Sequence, residues 1–129
     1  MTIDHTLVFQ PKQRIITKGD DATQAYVILK GKVHVFLEKG GKTVTLAHLQ
    51  EGAIFGETAL FDRKHYGAHV EAEEETRLGI ITPEAFQEKM KSCDPMLRAI
   101  ILMLIERQRK TNQALLDSET RELIEIALI

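Results

Sequence analysis

The chain has 129 residues, 43% of them hydrophobic and 28% charged, with a formal net charge of -2. That length supports one core and one domain, and the balance is that of a folded globular chain, neither disordered nor membrane-embedded. The slightly acidic total argues against a surface devoted to nucleic acid, and the single cysteine, Cys93, excludes an internal disulfide or a multi-thiolate zinc site.

In chain order, Met1-Thr2-Ile3-Asp4-His5 has no basic segment followed by an apolar stretch, so no secretory signal is expected and a cytoplasmic location follows. From Leu7 to Ile81 the chain reads as short β segments punctuated by glycines. Arg14-Ile15-Ile16-Thr17 is the first of these. Val27-Ile28-Leu29 then leads through Lys30-Gly31-Lys32 into the alternating Val33-His34-Val35-Phe36-Leu37, which predicts a hairpin with Gly31 in its turn. Glu38-Lys39-Gly40-Gly41-Lys42 predicts a second turn, followed by Thr43-Val44-Thr45-Leu46-Ala47. His69-Val70-Glu71-Ala72 and Arg77-Leu78-Gly79-Ile80-Ile81 complete the strands. Short, regularly spaced strands predict a sandwich or jelly roll, making the fold mainly β with C-terminal helices.

After Thr82 the pattern turns helical. Thr82-Pro83-Glu84-Ala85 supplies an N-cap, a proline at the first position and an acid in the first turn, for a short helix to about Met90. Cys93 sits in the turn that follows. Asp94-Pro95 starts a longer helix, apolar on every face from Ile100 to Ile105 and strongly polar from Glu106 to Asn112. Such a stretch needs cover on both sides. Either a second copy supplies it, making a homodimer through Ile100–Ile105, or the chain's own sandwich and its apolar tail Leu123–Ile129 do; the size of the patch favours the dimer. No run is long enough to span a bilayer. The domain is thus single, over 1–129: β jelly roll at about 7–81, helices at about 83–116, and a tail at 117–129.

The segment Gly52-Ala53-Ile54-Phe55-Gly56-Glu57-Thr58-Ala59-Leu60 carries the chemistry. Two glycines four apart, ahead of a short helix-compatible run, point successive backbone N–H groups at an anion. Glu57 inside that nest makes sense where the ligand also offers a hydroxyl, as a ribose does. Taken alone, a glycine-glutamate turn is equally an ordinary surface turn.

The segment FGETALFDRKHYGAHVEA resembles the phosphate-binding cassette of cyclic nucleotide-binding domains, and IITKGDDATQAYVILKGKVHVF resembles the strand-glycine-strand stretch before it. The resemblance covers roughly Leu7 to Asn112 and includes the sensor domain of catabolite activator protein-like regulators, without their DNA-binding domain. It implies a jelly roll followed by a long helix that closes over a cyclic nucleotide and joins a dimer. On this resemblance Glu57 accepts from the ribose 2′-hydroxyl, and Phe55, Gly56, Thr58, Ala59 and Leu60 surround the sugar and phosphate. The family's phosphate-pairing arginine falls on Tyr66, followed by Gly67 and Ala68 as expected. Losing that charge-assisted hydrogen bond removes about 1.5–3 kcal/mol, or one to two decades of affinity. Arg63, Lys64 and His65 are the nearby substitutes, and restoring the arginine with Tyr66→Arg is expected to tighten binding if the loop geometry is intact. Arg107, Thr111 and Asn112, in ERQRKTN, share one helix face where the family places contacts to the base. The implied ligand is cyclic AMP or cyclic GMP, with no metal and no cofactor.

An enzyme of the metal-dependent jelly-roll type needs clustered histidines, and histidines 5, 34, 48, 65 and 69 are scattered. A DNA-binding helix-turn-helix does not fit in the seventeen residues from 113 to 129. The remaining alternative is a degenerate cassette that no longer binds nucleotide and serves as a dimeric interaction module.

Overall fold

The computed structural model describes residues 5–60, 65–107 and 110–111. Among the described residues eight strands form two four-stranded antiparallel sheets. In the first, β1 (Thr6–Phe9), β8 (Thr76–Ile81), β3 (Ala25–Lys30) and β6 (Ile54–Phe55) lie side by side in that order. In the second the order is β2 (Arg14–Ile16), β7 (His69–Ala72), β4 (Lys32–Lys39) and β5 (Lys42–Gln50). The sheets face each other across a core containing Ile28, Leu78, Val33, Phe55 and Val70. This is the expected jelly roll, with α1 (Pro83–Lys91) and α2 (residues 95–107) at its C-terminal end.

One expected hairpin is corrected. β3 and β4 are not partners: β3 pairs with β6 and β8, while β4 pairs with β5 and β7. Gly31 is therefore a corner at which the chain changes sheets. Its φ is +109°, and a Cβ there would stand 2.5 Å from Thr76 Oγ1 and 2.7 Å from the Glu75 carbonyl oxygen, so only glycine lets the corner sit against β8. Alternating strands around a glycine read the same in a hairpin and in such a corner, because both neighbours bury one face. The second hairpin does form: Lys39 pairs with Lys42 around Gly40 and Gly41, whose φ values of +55° and +79° suit a two-residue turn of the primed type. β5 runs on to Gln50, and the register slips between Val35 and Phe36, leaving Leu46 as the extra residue of a bulge. β1 and the two-residue β6 add to the strands named from the sequence.

The helix signals hold. Thr82 caps α1, its hydroxyl accepting from the Ala85 N–H at 3.2 Å, and Asp94 Oδ1 accepts from the N–H groups of Met96 and Leu97 at 2.9 and 3.3 Å. Cys93 is half-buried in the turn between the helices. Arg98 of α2 reaches back to the last turn of α1 and donates to the carbonyls of Met90, Lys91 and Cys93 at 3.0, 3.4 and 3.4 Å. A cation on a helix C-terminus is favourable, and here it fixes the angle between the helices. No helix among the described residues is long and apolar enough to cross a membrane.

Candidate functional site

β6 delivers the chain to Gly56, whose φ of +70° turns it into a 3-10 turn over Glu57–Leu60, closed by the Ala59 N–H on the Gly56 carbonyl at 3.1 Å. A Cβ on Gly56 would meet Ile16 Cδ1 at 3.1 Å and the Gln24 carbonyl oxygen and Tyr66 ring at 3.4 Å. The glycine is thus needed twice, for its dihedral and for its space. The two residues that bound the turn are anchored by their side chains. Phe55 is buried and stacks on Tyr26 with centroids 5.2 Å apart; Leu60 is buried with Ala25 and Ile81, and Phe86 of α1 packs on that cluster. What Phe55 and Leu60 offer a ligand is backbone, since their side chains belong to the core.

Between these anchors lie the free groups. Glu57 is half-buried, and its carboxylate has no hydrogen-bond or ion-pair partner among the described residues. Thr58 Oγ1 is buried without a partner, alone in this among the described side chains. Ala59 packs on the fringe of the main core.

Tyr66, expected from the sequence to stand in for the family's arginine, is in the core at 7% exposure, within the same cluster as Ile16, Phe55 and Val70. Its hydroxyl donates to the Gln24 carbonyl at 2.5 Å and accepts from the Gln24 N–H at 3.2 Å. Its backbone N–H donates to the Asp20 carbonyl at 2.9 Å and its own carbonyl accepts from the Gly19 N–H at 3.0 Å. The Gln24 side chain donates to the Tyr26 hydroxyl at 3.0 Å. Burial pushes the Tyr26 phenol above its ordinary value; the Gln24 hydrogen bond opposes this and nearby Tyr66 adds to it. Gly67 is exposed and open, with nothing within 4 Å of a built Cβ, and Ala68 is half-buried. His65 faces Asp21, Nδ1 to Oδ1 at 3.4 Å.

The base-side candidates are not drawn to the cassette by any bond among the described residues. Arg107 is exposed, and the Thr111 hydroxyl is spent on the Arg107 carbonyl at 3.0 Å. Arg63, Lys64 and Asn112 lie outside the described residues. Conversely, the structure adds an apolar floor that the sequence reading passed over. Val35 and Ala47 pair on the inner face of the second sheet yet are only half-buried, while Val33 and Leu37 on either side are 0% and 2% exposed. Leu46, in the bulge beside them, is half-buried as well. The lapse in burial is visible only once the sheets are stacked. A separate concavity lined by Gly31, Lys32, Gln50, Glu51 and Glu74 contains no cassette residue. No group of three or more metal-ligating side chains converges among the described residues.

Comparison with known proteins places this geometry. The cyclic nucleotide-binding domain family matches residues 6–93. The chain belongs to that family. A cyclic nucleotide-binding domain of this sequence is 34% identical over 119 residues to the human potassium/sodium hyperpolarization-activated cyclic nucleotide-gated channel 4, covering 90% of this chain and 10% of the channel. The chain thus spans about a tenth of the length of the channels it matches. Among solved structures, the EAL enzyme Bd1971 in its cGMP-bound form superposes with a TM-score of 0.76 at 32% identity, over 95% of this chain and 33% of that one. The Thermus thermophilus catabolite activator protein superposes with a TM-score of 0.70 at 28% identity, over 86% of this chain and 53% of that one. The catabolite activator resemblance therefore stands, and the match to the EAL enzyme concerns a part of that protein.

Proposed function

We propose that this cyclic nucleotide-binding domain is a non-catalytic cytoplasmic sensor that takes cyclic AMP in the cassette Gly56–Leu60 and transmits occupancy through its helices in a homodimer. The observation that carries the reading is Glu57: a half-buried carboxylate with no partner among the described residues, set directly after a left-handed glycine, is poised to accept a hydrogen bond from the ribose 2′-hydroxyl. The half-buried apolar residues Val35, Leu46 and Ala47 suit the apolar faces of the sugar and base. Related structures with cGMP and with cAMP bound support the ligand class.

Transmission follows from packing. Leu60 ends the cassette turn and shares its cluster with Phe86, and Arg98 ties α1 to α2. A ligand that shifts the cassette backbone therefore moves Leu60, then α1, then α2, favouring closure of the long helix, with Arg107, Thr111 and Asn112, over the base. With Tyr66 in the arginine's place, the phosphate charge is met by backbone N–H groups of the cassette and by Arg63, Lys64 or His65, at an affinity about one to two decades below an arginine-bearing cassette.

Titration calorimetry with cyclic AMP and cyclic GMP tests the reading. Saturable heat with either supports it, and the stronger ligand is expected to be cyclic AMP; no heat at millimolar nucleotide sinks it. That negative outcome would favour the dimeric interaction module, which Tyr66 sunk in the core and the exposed apolar α2 also fit.

A further inference from the structure

The loop from Lys18 to Gln24 joins β2 to β3 and lies against the far end of the cassette. Backbone pairing with His65 and Tyr66 is one attachment, through Gly19, Asp20 and Asp21. The other is a side chain. The Lys18 N–H donates to Nδ1 of His69 at 3.0 Å, and Arg14 Nη1 donates to the same nitrogen at 2.9 Å. A ring nitrogen that accepts twice carries no proton, so His69 is the neutral tautomer with its hydrogen on Nε2. Tyr66 and His69 thus form two anchors for one loop, separated by Gly67 and Ala68.

The surroundings of His69 hold it in that state. Its ring lies 5.3 Å from Phe36 of β4, which Arg14 covers at 5.2 Å while bridging Glu71 at 3.2 Å. The charged groups facing it are Arg14 from β2, Lys18 from the loop, Glu38 from β4 and Glu71 from β7. Beyond Phe36 stands His34, stacked in turn on His48, which donates to the Glu73 carboxylate. Burial, then Arg14, hold the imidazole below its ordinary pKa, with Lys18 acting the same way and Glu38 and Glu71 opposing.

We propose that His69 is a positioning residue for the cassette: its neutral imidazole latches the Lys18–Gln24 loop, and protonation releases the loop and weakens ligand binding. The proposal rests on the reading of the cassette as a nucleotide site. A proton on Nδ1 turns the acceptor into a donor, so both bonds break together and a new cation stands against Arg14 and Lys18. The loop is then held to the cassette end only by its pairing with His65 and Tyr66. Because ligand binds the latched form, occupancy must in return lower the pKa of His69 further.

The test is a pH series on the full chain as wild type, His69→Asn and His69→Ala, read by the NMR resonances of the Lys18 amide and the His69 ring and by titration with cyclic AMP and cyclic GMP. Asparagine keeps a non-titrating acceptor near the place of Nδ1. Wild-type affinity is expected to fall about five- to tenfold from pH 7.5 to 5.5, the worth of one or two neutral hydrogen bonds. His69→Asn should stay flat near the high-pH value and His69→Ala flat near the low one, and ligand should shift the His69 titration to lower pH. A pH profile that survives unchanged in His69→Asn has another source and overturns the proposal. If neither nucleotide binds at pH 7.5, the site reading fails together with the ligand half of the proposal, and the Lys18 amide decides the latch. A shift that tracks the ring titration upholds the latch, and an amide indifferent to it overturns it.

Discussion

The Tyr66 hydroxyl satisfies both backbone groups of Gln24, donating to its carbonyl and accepting from its N–H. One phenol thereby ties the end of the cassette to the start of β3, forty-two residues away in sequence. Tyr66 is a structural staple.

This adds a stability cost to Tyr66→Arg. The side chain at 66 is surrounded by Ile16, Phe55 and Val70, so an arginine there buries a cation without a partner and is expected to cost on the order of 3 kcal/mol or more. Tyr66→Phe keeps the packing but orphans the two Gln24 groups, at about 1–3 kcal/mol. Urea unfolding of both variants checks the order, and an arginine variant as stable as wild type would mean that the side chain lies outside the core.

The glycines rank by what surrounds them. Gly31→Ala meets both the left-handed penalty of about 1–2 kcal/mol and a clash with fully buried Thr76, adding about 1–3 kcal/mol of overpacking. Gly56→Ala meets the same dihedral penalty and a softer contact with Ile16, whereas Gly41→Ala, with open space around it, meets the dihedral penalty alone. Denaturation midpoints should fall in the order Gly31, Gly56, Gly41, with Gly31→Ala the least stable.

Within the cassette, stability and affinity should part company. Glu57→Gln removes no internal bond among the described residues, so the melting temperature should hold while nucleotide affinity falls by about ten- to a hundredfold, the worth of charge-assisted hydrogen bonds. Thr58→Val replaces an orphaned hydroxyl by a methyl and should stabilise the free protein, by about 1 kcal/mol. Paired calorimetry and thermal unfolding separate the two effects; equal losses in both for Glu57→Gln would make Glu57 a fold residue.

His69 also sets a pH dependence of stability. Its folded pKa lies below the ordinary 6.5, so the folded state binds fewer protons than the unfolded chain just under that value. Its contribution is complete above pH 6.5 and is lost as pH falls from there through the lowered folded pKa. Unfolding free energies measured across pH 5 to 7.5 should rise with pH, and His69→Asn should flatten the part of that rise due to this residue.

The cassette was legible because its chemistry is local: Gly56, Glu57 and Ala59 are neighbours in sequence, and a glycine-led turn announces itself. The caps at Thr82 and Asp94 were legible for the same reason. What stayed hidden depends on partners distant in the chain. That Gly31 turns between sheets is decided by Thr76, that Tyr66 points inward is decided by Gln24 and Ile16, and that Val35 stays half-open is decided by the spacing of two sheets. None of these leaves a mark on residues nearby.

The long helix carries the last prediction. In α2 the exposed apolar residues are Met96 at 72%, Leu97 at 51%, Ile100 at 42%, Leu102 at 43%, Met103 at 50% and Leu104 at 51%, and they fall on all sides of the helix. The sandwich of the same chain does not cover them, and burying one leucine is worth about 1.5–3 kcal/mol, so a second copy of α2 gains several such terms by packing on the first. Sedimentation equilibrium is expected to show a dimer. Leu104→Glu should shift it toward monomer without lowering the unfolding midpoint of the β sandwich, since Leu104 touches no core cluster. Because closure of α2 toward the cassette would be coupled to this interface, the same variant should also change nucleotide affinity, and a monomeric variant with wild-type affinity would uncouple the helix from the site.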